Sequence, residues 1–226
     1  MRLTILALIF LAACGRPLSD GELRLTADIM GPTLDPAPIR LSQNSLIGLS
    51  TSTYAVRPQV TCRERIGPTP SAPTFTARTA GVALFNRVLT STDWTAPDYL
   101  PDYPQAMNIV AAMYFAHEMT HVWQWQNRAV TGYHPLRAAA EHGRTDDPYL
   151  FDPDGEIPFL AMGYEQQASL VEEYVCCRTI APEGARTQRL WAKLSEAMAV
   201  TPPLQSPHPD TITGIDANAN LQGVCD

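Results

Sequence analysis

At 226 residues, 45% apolar and only 17% charged, the chain is long enough for one domain with a sizeable core and too apolar to stay disordered. Its formal charge of -7, with one lysine (Lys193) among sixteen basic residues, leaves no basic stripe and argues against a nucleic-acid partner. Twenty prolines against thirteen glycines point to long ordered coil between short regular elements.

The chain opens with Arg2 and an apolar run, Leu3 to Leu11, too short to span a bilayer as a mature helix. The run ends in Leu11-Ala12-Ala13-Cys14-Gly15, which resembles the lipobox of bacterial lipoproteins. That resemblance implies that residues 1–14 are a signal peptide ending at an acylated Cys14, and two or three acyl chains there would anchor the protein to a membrane. Gly15 after the cysteine implies sorting to the outer membrane, so the expected location is the bacterial cell envelope. Four cysteines then remain, Cys62, Cys176, Cys177 and Cys225, and an even number in an exported chain reads as disulfides. Joining the neighbours Cys176 and Cys177 would strain the bond, so Cys62 and Cys225 should each bridge to one of that pair, with the choice open.

Residues 15–79 carry Pro17, Pro32, Pro36, Pro38, Pro58, Pro68, Pro70 and Pro73 with little period, and are expected to be a tether followed by coil with short strands. Ala80 to Thr90 alternates loosely and reads as a strand. After a loop rich in aspartate and proline, a long helix is expected from about Gln105, with Pro104 near its start, to about Ala129. Along it Met107, Val110, Ala111, Tyr114, His117, Glu118, His121, Val122 and Trp125 recur at three- and four-residue steps, and Thr131-Gly132 should stop it. A polar loop follows, then a second helix from about Pro158 to about Arg178 and a third from about Glu183 to about Val200. Pro202, Pro203, Pro207 and Pro209 lead into an extended tail. The expected organisation is therefore a core of residues 80–200 with a proline-rich tail, 201–226.

His117-Glu118-Met119-Thr120-His121 is the H-E-x-x-H pattern. Residues four apart on an α-helix lie one above the other, so both imidazoles can reach one tetrahedral zinc ion at about 2.0–2.1 Å. Glu118, rotated by one residue, can touch a water in the fourth position without binding the metal itself. The motif lies on the apolar face of the helix, where unpaired polar groups would be costly to bury. Phe115, Trp123 and Trp125 read as core packing. A third protein ligand is required, because zinc hydrolase sites hold three and leave one position open. Glu165, early in the second helix, is the candidate, with Glu172 and Glu173 as competitors. Helical spacing puts Glu172 two turns along on the same face, as a partner for a ligating histidine, while Glu173 points away. For hydrogen-bond donors to a reacting carbonyl, Tyr133, His134, His142 and Tyr164 are available and none is preferred.

The stretch Ala116-His117-Glu118-Met119-Thr120-His121-Val122-Trp123-Gln124, with Glu165-Gln166-Gln167-Ala168 some forty residues on, resembles the gluzincin-type metallopeptidase domains. In particular it is similar to those found near Rhs and Vgr proteins and in extracellular contractile injection systems. The resemblance covers about Ala80 to Arg178, including Asn86-Arg87 after the strand. It implies an α+β, mainly helical, zincin-like minimal core, with zinc held by His117, His121 and Glu165, Glu118 as the base, and a peptide or protein substrate. The chain departs from that family in its lipobox and in the cysteines beside the Glu165 helix. Bridges from Cys176 and Cys177 would clamp the C-terminal end of that helix, so reduction is expected to weaken zinc retention. The rival expectation is a silent, zinc-stabilised lipoprotein that serves as a binding or adaptor module.

Overall fold

The computed structural model describes residues 15–226; the expected signal peptide, with Cys14, lies outside the described residues. Among them are seven α-helices and seven short strands, an α+β and mainly helical arrangement. The helices are α1 (Asp20–Met30), α2 (Cys62–Ile66), α3 (Ile109–Gln126), α4 (Arg128–Thr131), α5 (Pro135–Glu141), α6 (Tyr164–Ile180) and α7 (Ala185–Leu194). The strands are β1 (Arg40–Gln43), β2 (Thr51–Ala55), β3 (Thr74–Arg78), β4 (Gly81–Leu84), β5 (Arg87–Thr90), β6 (Ala106–Asn108) and β7 (Thr211–Thr213).

α3 and α6 form the centre. Residues 112–124 of α3 and 167–179 of α6 are buried without a break, so neither helix has a solvent face over those stretches. Such all-round burial marks a central helix, covered here by α1, α2, α7 and the sheet. Fully buried small residues, Ala112 and Ala116 on α3 with Ala168 and Ser169 on α6, keep the two helices slender enough to pack closely.

Residues 80–90 do not form one strand. β4 and β5 are an antiparallel hairpin turned by Phe85-Asn86, and β5 pairs on its other side with β1 in parallel. Phe85 takes the positive φ of 61° that such a two-residue turn demands, and its ring packs 4.5 Å from the partly exposed Trp125. The long helix starts four residues later than expected. Ala106–Asn108 instead pairs with Thr211–Thr213, and the Asn108 side chain accepts the Ala111 N–H at 3.0 Å as the N-cap. At its other end α3 stops at Gln126, and one further turn runs to Gly132, which is left-handed. Phe159–Ala161 is a separate 3-10 turn, so Ala161 is not part of α6, and α7 ends at Leu194 rather than near Val200.

The region read as tether and coil holds α1, a core helix. Ser19 and Glu22 cap it reciprocally, and Leu25, Ile29 and Met30 are buried at helical spacing. Arg16 grips the buried Glu22 carboxylate through two 2.7 Å contacts, which ties the start of the described chain to the core. The proline-rich tail likewise returns to the core, because β7 pairs with β6 and Cys225 is buried in a disulfide.

The bridges are Cys62–Cys176 and Cys177–Cys225. They fix α2 and the C-terminal tail to successive residues of α6. All four cysteines are fully buried, and sulfurs of the two bridges lie within 4.8 Å of one another.

Candidate metal centre

One turn of α3 places His117 above His121, with their Nε2 atoms 3.2 Å apart. From α6, Glu165 Oε2 lies 3.2 Å from His117 Nε2 and 3.3 Å from His121 Nε2. All three residues are buried, and the donor atoms of the trio fall within 4.8 Å of one another. Two imidazole nitrogens and one carboxylate oxygen converge on a space that a divalent ion would fill.

Two further observations test whether an ion fits. The first is hydrogen-bond accounting: Glu165 Oε2 and Glu118 Oε2 are both buried without a hydrogen-bond partner among the described residues. Such orphaned oxygens are costly unless something else binds them. The second is charge. Burial alone would raise the Glu165 carboxyl, but the charge of His121 and the contacts from His117, His121 and His142 hold it well below the usual range. Burial likewise pulls His117 down, yet Glu172 and Glu165 carry it up to about 10. Three carboxylates, Glu118, Glu165 and Glu172, stand around the two imidazoles, and a bound cation would balance part of that acidic charge. The residues fit a metal ion.

Each histidine is oriented from behind. The His121 Nδ1 lies 2.9 Å from the Gln124 carboxamide oxygen, and Gln124 Nε2 donates at 3.0 Å both to the Tyr164 carbonyl and to Gln167 Oε1. Gln167 in turn donates to the Met162 carbonyl at 3.0 Å. This chain of amides presents an acceptor to Nδ1, which puts the proton there and leaves Nε2 free for a metal. At His117, Glu172 Oε1 stands 2.7 Å from Nδ1 but off the N–H axis, and Arg63 Nη1 holds the other oxygen of Glu172 at 2.7 Å. Helical spacing put Glu172 on the face of Glu165, and the structure sets it beside His117. Glu173 faces away from the cluster and is not solvated. It is buried against α2, where Oε2 accepts the Cys62 N–H at 2.7 Å.

Glu118 leans toward β4. An added Cβ at Gly81 would lie 2.5 Å from both Glu118 Oε1 and the Tyr114 hydroxyl, so only glycine leaves the carboxylate its place. Burial raises the Glu118 carboxyl, against the pull of His117 and His121. Of the donors considered from sequence, His142 reaches the cluster, with Nε2 3.3 Å from Glu165 Oε1. Tyr133 stacks on His121 with ring centres 6.1 Å apart. His134 is exposed and caps α5, and the Tyr164 hydroxyl turns toward the Thr131 carbonyl. Sequence reading missed Tyr149, whose ring lies 5.9 Å from that of His117, as well as Arg63, Gly81 and the amide pair Gln124–Gln167. The spacing of Gln124, three residues after His121 on one helix, was the available signal for the last of these. Tyr149, Arg63 and Gly81 sit on distant segments and carried none.

No protein-family model and no curated protein matches the chain. Among solved structures, the effector domain of Pseudomonas aeruginosa VgrG2b is similar, with a TM-score of 0.52 and 21% identity over 81% of this chain and 85% of that one. At that identity the likeness establishes a shared fold with a Vgr effector domain and nothing finer.

Proposed function

We propose that this protein is a zinc-dependent metallopeptidase, with His117, His121 and Glu165 as ligands and Glu118 as general base. The observation that carries the reading is Glu165 Oε2, buried, without a hydrogen-bond partner and about equally distant from the Nε2 atoms of His117 and His121. Two imidazole nitrogens and one carboxylate oxygen suit zinc. Bound there, zinc would polarise a substrate carbonyl and bring the pKa of water toward about 7. Glu118, one residue round the helix from His117 and buried with a free oxygen, takes the proton of the attacking water and returns it to the leaving amine. Burial raises its proton affinity, which favours taking the proton from water over leaving it in solution. Gln124 and Glu172 hold the imidazoles, so that the ligands do not reorient during the reaction.

The fold shared with an effector domain supports an enzymatic reading over an inert one. The Leu-Ala-Ala-Cys14 sequence supports a second element of the proposal, that the enzyme is lipid-anchored in the bacterial envelope and meets a peptide or protein substrate there. The test pairs metal content per chain with cleavage of a peptide library by the wild-type protein and Glu118→Gln. We expect one zinc in both and a loss of turnover in the variant of about 100- to 10,000-fold. Equal cleavage by the two proteins, or zinc without cleavage by either, rejects the peptidase; the second result is that of an adaptor module.

A further inference from the structure

α5 ends in Glu141-His142, and both side chains reach across to the start of α6. Glu141 Oε1 accepts the Tyr164 N–H at 2.9 Å and its Oε2 accepts the Glu165 N–H at 3.2 Å. These are first-turn donors that a helix leaves open, and the N-cap residue, Gly163, has no side chain with which to satisfy them. The next residue, His142, contacts Glu165 Oε1 at 3.3 Å. Its ring nitrogen is not among the atoms that converge within 4.8 Å of one another, so it acts on Glu165 and does not complete the ligand set.

Consecutive residues therefore hold the backbone and the side chain of the same glutamate. They also divide its two oxygens. Oε1 is engaged by His142, while Oε2 faces both imidazoles and has no hydrogen-bond partner. A carboxylate with one oxygen tied to an N–H presents only the other to an ion, and its rotamer is set before the ion arrives.

We propose that Glu141 and His142 are positioning residues that select Glu165 Oε2 as a single-oxygen ligand, with Glu141 fixing the first turn of α6 and His142 Nε2–H donating to Oε1. The inference rests on the metal-centre reading above and deepens it. Cobalt(II) is the probe, because its visible absorption reports coordination number and geometry. Wild type, His142→Phe, His142→Gln and Glu141→Ala are titrated with Co2+ against a competing chelator, with far-UV circular dichroism to confirm folding. His142 is at a helix end and substantially exposed, so its replacement should leave the fold intact. We expect His142→Phe and Glu141→Ala each to bind about 10-fold more weakly or worse, and His142→Phe to alter the spectrum as Glu165 rotates. His142→Gln, whose amide can donate to the same oxygen, should recover most of the affinity and the spectrum. His142→Phe indistinguishable from wild type overturns the role of the histidine, and so does His142→Gln as defective as His142→Phe. Wild-type affinity in Glu141→Ala overturns the role of the glutamate. Wild type that takes up no cobalt rejects the metal centre itself, a result readily told from these.

Discussion

Glu165 and Glu173 stand two turns apart on α6, both are buried, and the protein treats their carboxylates in different ways. Glu173 is enclosed by its own protein: Oε2 takes the Cys62 N–H and Oε1 lies 3.4 Å from Arg186 Nη1, with the Cys177 sulfur close by. Glu165 has one oxygen engaged by His142 and the other left without a donor between two imidazoles. One carboxylate is a structural acceptor beside two disulfides. The other keeps an oxygen without a hydrogen-bond partner facing two imidazole nitrogens. A buried acid does not by itself mark a site; an unsatisfied oxygen aimed at other metal-binding atoms does.

The comparison can be broken most forcefully at the stapled end. Replacing Cys177 and Cys225 together by serine frees a loop with a sequence separation of 48, which in the chain-entropy model costs about 4 kcal/mol. Unfolding in denaturant should report that loss. If the staple also steadies the ligand helix, metal should leave the double variant faster on dialysis against a chelator. Unchanged metal retention would show that the two ends of α6 are independent.

At the site end, Gly81→Ala forces a methyl into the space of the Glu118 carboxylate. Overpacking of this kind costs about 1–3 kcal/mol, and the displaced base should lower peptide cleavage by on the order of 100-fold while metal content stays near wild type. Parallel loss of metal would mean that β4 supports the whole cluster and not Glu118 alone.

Glu173 gives a pH signature. Burial pushes its carboxyl up to about 7, against the opposing pull of the Cys62 N–H and Arg186. An acid with a raised folded pKa is bound to its proton more tightly when folded, so stability is greatest below its unfolded pKa. It falls as pH rises from there through about 7, by on the order of 3 kcal/mol. Glu173→Gln should flatten that decline in chemical unfolding followed between pH 5 and 8. A wild-type curve that rises over the same interval relative to the variant would reverse the assignment.

The smallest effect is expected at Gln124. Gln124→Leu removes the acceptor at His121 Nδ1 and should weaken metal affinity about 10-fold, read by chelator competition. Full affinity in Gln124→Leu would mean that packing alone orients His121.

Several of these residues were within reach of the sequence and others were not. The two histidines needed only helical periodicity, because a four-residue step on an α-helix fixes their mutual geometry wherever the helix lies. The same local rule placed Glu172 on the face of Glu165, and the tertiary structure set it against His117 and not His121. Element boundaries failed where tertiary pairing competed with helix propensity. Residues 106–108 joined β7 instead of α3, and Ser19 to Met30 folded as a core helix within a segment whose prolines suggested a tether.

By itself, then, the sequence determined what short-range geometry dictates: two imidazoles one helical turn apart, the glutamate beside them, and the exclusion of a bond between adjacent cysteines. Only the tertiary structure decided which cysteine joins which, that His142, Gln167 and Arg63 stand behind the cluster, and that β4 must have glycine where Glu118 lies. Those contacts link positions from 23 to 114 residues apart across packed elements, and no periodicity in the chain encodes a distance across a packed interface.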